Sequence, residues 1–289
     1  MPSIEPLPTA TLVAIGALLA TVVALWLRPW WLWQAALCVT IVAGYVAEVL
    51  DGPAGLTVAL LAFALLRFRA RTGLARAGYG TIVGVVSLVL ALHVLSGFHN
   101  PVVIRDAMLS AGALPYRQYA NFDKGLAGVL ILGILGVARF RSTASPRTVV
   151  RQVGPIVLVT IAAVMAASLT LGFVRFDPRW TRVFWVWAPI NLLLTCVSEE
   201  AFFRGCLQRE VERVLDGRPH AATIAVAASA ILFGIAHAAG GWHYVLLATL
   251  AGTGYALAYR RTGRIEAAIL THFAVNATHF LLFTYPALA

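Results

Sequence analysis

Residues 156–171 read IVLVTIAAVMAASLTL, a run from Ile156 to Leu171 without a charge or a turn residue. Barrel strands alternate apolar and polar residues over about ten positions, and nothing alternates here. A helix crossing a bilayer needs ~20 mostly apolar residues, so this run and its flanks read as a membrane helix over 150–173. The same rule applied outward predicts about ten spans, at 9–27, 31–50, 53–67, 78–98, 125–140, 150–173, 183–207, 221–239, 242–259 and 265–285. The expected fold is therefore all-α, a polytopic transmembrane helical bundle. Composition agrees: the 289 residues are 60% hydrophobic and 12% charged, against about a quarter charged in a soluble domain. Intrinsic disorder is excluded by the apolar content, and a disulfide scaffold by having only Cys38, Cys196 and Cys206.

A net charge of +10 in a soluble chain would suggest nucleic acid. Here the cations fall between apolar runs, so they report topology, and no nucleic-acid partner is expected. Arg28, the Arg67–Arg76 group, the Arg139–Arg151 group, Arg209/Arg213/Arg218 and Arg260/Arg261/Arg264 follow odd-numbered spans. Arg105, Arg117, Lys124, Arg175, Arg179 and Arg182 fall on the other side. By the positive-inside rule the first set is cytoplasmic, which puts both termini outside. Met1–Ala10 lacks the basic start of a cleaved signal peptide, so 9–27 reads as a retained span. The longest stretch between spans, 99–124, is expected to be an outer loop with a short amphipathic helix. Lys124 is the single lysine beside 21 arginines, a bias that suggests a high-GC bacterial genome and hence a bacterial plasma membrane.

Ionisable groups inside a span are costly, and they default to a functional reading. Glu48 and His93 sit at span ends, where a structural role suffices. The last four spans hold Glu199, Glu200, Arg204, His237, His272 and Asn276. Glu200 and Arg204 are four apart and share a helix face, so they can pair. Glu199 points about 100° away, free to face a cavity as a general base. Phe233 and His237 share one face, as do His272 and Asn276. His279, at i+7 from His272, faces the same way. The three cysteines have no ligand-like spacing and read as packing.

Taken together, E-E-x-x-x-R (Glu199, Glu200, Arg204), F-x-x-x-H (Phe233, His237) and H-x-x-x-N (His272, Asn276) resemble the CPBP intramembrane proteases. That family includes the Rce1-type CAAX prenyl endopeptidases and bacterial abortive-infection-like members. The resemblance covers about residues 183–285 and extends to Arg204-Gly205-Cys206-Leu207-Gln208. Residues 1–180 stand outside it as helices of unassigned role, although Tyr119–Lys124 is similar to a stretch in some bacterial members. It implies an intramembrane endopeptidase of glutamic type acting on a membrane-tethered protein. Glu199 would activate a water that His237 helps to hold, and His272 and Asn276 would stabilise the oxyanion. Glu200, Arg204 and Phe233 would support them, with no metal or other cofactor.

Competing chemistries fail on the same letters. H-E-x-x-H and G-x-S-x-G are absent. A zinc site of Glu199, His237 and His272 stays chemically open, since two His and one Glu form a known ligand set. A non-catalytic binding or immunity-type membrane protein on the same scaffold is the alternative from another class. A transporter fits less well, for no inverted repeat is evident. One difficulty is depth: counted along straight spans, Glu199, His237 and His272 lie ~15, ~25 and ~12 Å from the cytoplasmic side. Bending at Gly217–Pro219 or a strong tilt of the eighth span would bring them level.

Overall fold

The computed structural model describes residues 3–139 and 146–289. Arg141 and the end of the expected fifth span lie outside the described residues. After a two-residue strand β1 (Ser3–Ile4) come four helices, α1 (Thr9–Ala24), α2 (Leu32–Val46), α3 (Gly52–Ala70) and α4 (Gly73–Ala91). Strands β2 (Val102–Ala107) and β3 (Tyr116–Tyr119) lead into α5 (Phe122–Leu135) and α6 (Pro146–Thr170). A continuous helical rod over 184–214, here α7, alternates α turns with π turns at Asn191–Cys196 and Ala201–Gln208. Helices α8 (Ala221–Ile235), α9 (Gly241–Thr262) and α10 (Ile265–Leu282) complete the bundle.

The protein is a polytopic helical membrane protein with fewer spans than the ten expected. Among the described residues α3, α4, α6 and α10 are long and apolar enough to cross a bilayer. The pair α8 and α9, bent by 52°, passes as one broken span. At 1.5 Å per residue, α1 with 16 residues and α2 with 15 reach only ~24 Å and ~22 Å, short of the ~30 Å hydrocarbon core. The expected spans 9–27 and 31–50 took in residues beyond each helix, such as Leu25–Leu27 and Ala47–Leu50.

The all-α expectation is also corrected. Residues 99–124 carry no amphipathic helix before α5; they form a hairpin that completes a three-stranded antiparallel sheet in the order β1-β2-β3. Ser3 pairs with Arg105 and Ile4 with Ile104, while Ile104 also faces Gln118. Val102, Val103 and Ile104 are β-branched and Tyr116 and Tyr119 aromatic, the types that suit a pleated, half-buried surface. The chain's far end joins the same region. Ala113 bridges Leu288, and the Ala289 N–H donates to the Gly112 carbonyl at 3.0 Å. Both described ends and the hairpin therefore lie at one end of the bundle. Several cations there are matched by acids, through Arg105–Glu5 at 2.9 Å, Arg117–Asp106 at 2.8 Å and Arg179–Asp177 at 3.0 Å.

One aromatic stack holds α7 against α10. The Trp187 ring is fully buried and stacks on Phe280 at 4.4 Å between centroids, with Phe184 and Phe273 alongside at 5.8 and 5.9 Å. Its Nε1–H donates to the Tyr285 hydroxyl at 3.0 Å, so the indole buries no unsatisfied donor. Trp187→Ala should lower unfolding free energy by ~3–5 kcal/mol, read as a shifted denaturation midpoint in detergent micelles. An unchanged midpoint would mean that the stack is not what seats α7.

Candidate active site

Three glutamate, arginine and histidine groups lock the centre. Glu200 and Arg204 have no exposed side-chain surface and meet at 3.1 Å, one helical turn apart. Arg204 also donates from Nη2 to the Gly252 carbonyl of α9 at 2.7 Å. The rings of Phe233 and Tyr255 lie 4.8 and 5.4 Å from its guanidinium carbon, cation–π contacts that replace some of the lost hydration. A Cβ on Gly252 would stand 3.0 Å from the Phe233 ring and 3.2 Å from Arg204 Nη2, so a larger residue would press Arg204 and Phe233 out of this close approach. Glu200 Oε1 takes a second partner, His272 Nδ1 of α10, at 2.8 Å. With Nδ1–H donating to the carboxylate, the ring is fixed and Nε2 turns toward Glu199 Oε2, 3.9 Å away. Tyr255 stacks on that imidazole at 4.4 Å.

Glu199 was expected to be free, and it is not. Its Oε1 accepts from Lys124 Nζ of α5 at 2.8 Å, with both side chains about one-seventh exposed (15% and 14%). Two features of α5 aim the lysine. Asp123, buried beside it, binds His93 at 2.6 Å and Asn100 at 2.8 Å, which pins the start of α5 to the end of α4. Gly128, one turn beyond Lys124, lets α5 touch α7, since a Cβ there would sit 2.7 Å from the Ser198 Cα.

The remaining groups converge on the same space. His237 follows α8, at the bend into α9, and its Nδ1–H donates to the Phe233 carbonyl at 2.7 Å. That tautomer leaves Nε2 as an acceptor. Asn276 donates from Nδ2 to Asn191 Oδ1 at 3.2 Å, where Asn191 opens the first π turn of α7. Glu199, His237, His272 and Asn276 all line one cavity of about 470 Å³, together with Asn191, Tyr255 and His279. Phe233 lines it as well and packs against both imidazoles, tilted to His237 at 4.6 Å and edge-on to His272 at 5.7 Å. His237 lies in the break at Ala236–Gly240, the 52° bend between α8 and α9, which a straight-span depth count does not allow for; the chain also turns over 215–220, ahead of α8. Among the described residues no three His, Cys, Asp or Glu side chains are disposed to hold a metal ion.

Sequence reasoning missed three members of this site. Lys124 carried a signal, as the single lysine of the chain next to a stretch with a family likeness, yet it was assigned to an outer loop. Asn191 is a polar residue in an otherwise apolar run. Tyr255 carried no signal, because an aromatic on an apolar helix reads as core.

Arg204→Met should destabilise the fold by ~3–5 kcal/mol, because Glu200 is left buried without its cation. The double change Glu200→Gln with Arg204→Met should recover part of that loss. Equal denaturation midpoints for the single and double variants would show that the two groups are not coupled.

Against known proteins, residues 179–278 match the model of the family described as type II CAAX prenyl endopeptidase Rce1-like. No curated protein and no solved structure matches the chain. The match spans α7 through most of α10, the helices that carry Glu199, Arg204, His237, His272 and Asn276. Over those residues this integral membrane protein carries an Rce1-like CAAX prenyl endopeptidase family domain.

Proposed function

We propose that the protein is an intramembrane endopeptidase of glutamic type that hydrolyses a peptide bond in a membrane-tethered protein. The observation that carries this reading is the convergence of Glu199, His237, His272 and Asn276 on one 470 Å³ cavity. Its apolar wall, with Val164, Met165, Leu247 and Ala248, suits the lipid-side residues of a membrane-anchored peptide. Water held between Glu199 and His237 Nε2 loses a proton to the Glu199 carboxylate. The oxygen attacks the scissile carbonyl, and the C–O bond forms as the carbonyl electrons move onto oxygen. With its Nδ1 bonded to Glu200, His272 presents Nε2–H to that oxyanion. Asn276 gives its second amide hydrogen to the same charge. Glu199 then returns the proton to the departing amine as the C–N bond breaks.

Lys124 has a positioning role here. Its ammonium holds the Glu199 carboxylate ionised and aimed along α5 until the water is in place. The reading divides the chain into helices over 1–180 and a protease core over 183–285, with α6 of the first part walling the cavity and Lys124 of α5 reaching Glu199. It also keeps both termini on the non-cytoplasmic face of a bacterial plasma membrane, with the arginine-rich end inside. The chemistry needs no metal.

Glu199→Gln should reduce cleavage of a membrane-anchored reporter peptide by ~10²–10⁴-fold in protein that still folds; turnover equal to the parent's would refute the base assignment. Activity should persist in excess chelator, and its loss with recovery on added zinc would replace this mechanism by a metal-assisted one. Lys124→Met should cut kcat more than KM and displace the pH–rate profile, while Lys124→Arg restores part of the rate. A profile of unaltered shape would reduce Lys124 to a packing role.

A further inference from the structure

A second cavity, of about 530 Å³, opens at the end of the bundle away from the sheet and shares no lining residue with the candidate active site. That volume falls within the ~300–1,000 Å³ usual for small-molecule sites. Its floor is apolar and buried, formed by Phe68, Gly133, Gly205 and Cys206. Its rim is basic, with Arg69, Arg76, Arg209 and Arg213 around a single carboxylate, Glu210. Four guanidinium groups against one acid leave a surplus of three positive charges.

Glu210 is already shared. Arg76 donates to its two oxygens at 2.9 and 2.8 Å, and Arg213 donates to the same two at 2.9 and 2.6 Å. Burial opposes the charge on Glu210, but the bonds from Arg213 and Arg76 hold its carboxyl down at about 2, so the acid stays ionised at every working pH. It orders two arginines, while Arg69 donates to the Ile134 carbonyl at 2.9 Å. Arg69 and Arg209 stand exposed on the rim.

The cavity lies where α3 and α5 end, beside Trp30, which precedes α2. Helix ends with an indole mark the headgroup level of a bilayer. Basic pockets between membrane helices at that level recognise phosphate headgroups, and guanidinium forks match phosphate oxygens in pairs.

We propose that this cavity is a binding site for the phosphate ester of an anionic lipid, the phosphate lying between Arg209 and Arg213 and the glycerol moiety against Phe68 and Trp30. The same chemistry would also accept a soluble phosphate ester, and the experiment separates the two sources. The site is independent of the protease reading, and its test reads binding alone. The full chain in neutral detergent is titrated with phosphatidylglycerol, phosphatidylcholine or glycerol 3-phosphate, with bound species counted by native mass spectrometry and the melting temperature followed in parallel. The parent should retain phosphatidylglycerol at concentrations about tenfold below phosphatidylcholine. Arg209→Gln with Arg213→Gln should erase that preference, and Arg209→Lys with Arg213→Lys should keep most of it. Removing two arginines from the opposite end, Arg175→Gln with Arg182→Gln, should leave it intact. Glycerol 3-phosphate protecting the parent as well as the lipid does, and not the double glutamine variant, would support the site with a soluble ligand. Equal retention of both lipids by the parent, or equal loss of preference in the opposite-end control, would overturn it.

Discussion

A guanidinium with no exposed surface fixes the arrangement of three helices. Removing the Arg204 charge from water costs several kcal/mol unless it is paired and hydrogen-bonded, so the surrounding chain has to supply specific partners. Glu200 comes from its own helix, the Gly252 carbonyl from α9, and aromatic faces from α8 and α9. These partners tie α7 to α8 and to α9. Glu200 extends the chain of contacts to α10, because its Oε1 also holds His272. The relative placement of α7, α9 and α10 is thereby written into one network of charged hydrogen bonds, and apolar packing alone would define it less sharply. In a lipid-facing bundle this matters more than in water, since association of apolar helices gains little from the hydrophobic effect.

The neighbouring carboxylate is constrained from the other side. Glu199 follows a different face of α7 and meets Lys124 of α5, which is itself anchored through Asp123 to α4 and through Gly128 to the Ser198 backbone. Two adjacent acids thus have opposite surroundings. Glu200 is enclosed and served by Arg204 and His272, whereas Glu199 borders the large cavity and a smaller one between α4 and α5 that Lys124 also lines. The π turns on either side of Val197–Glu200 belong to the same arrangement: wide turns of this kind recur at functional sites, where a helix must redirect side chains without breaking.

What the sequence disclosed, and what it hid, follows from the range of each interaction. The i, i+4 pairs Glu200–Arg204 and Phe233–His237 are local, so spacing alone predicts a common face, and both pairs make contact. Helix class was legible from runs such as Ile156–Leu171. Span number was not, because an apolar run does not show that α1 and α2 stop short of the bilayer thickness, or that α8 and α9 join at a bend before Gly241, whose φ of 84° suits glycine. The sheet was hidden for a different reason. β1 is two residues long and its partner lies about a hundred positions away, so no local pattern announces the pairing. Lys124 was misplaced because a cation between apolar runs reads as topology, and only a tertiary contact with Glu199 reveals otherwise.

Depth links the two cavities. Both stand on α7, with Glu199 lining one and Arg209, Glu210 and Arg213 lining the other. Ten residues separate Glu199 from Arg209, which at 1.5 Å each is ~15 Å of rod, about half of a ~30 Å hydrocarbon core. On the two proposals above, a rod held at headgroup level by its arginine end carries Glu199 close to the bilayer midplane. There, water is scarce and the Lys124 ammonium is the available counter-charge on that side. The arginine end would then serve the chemistry at a distance, by fixing how deep in the membrane the carboxylate rides.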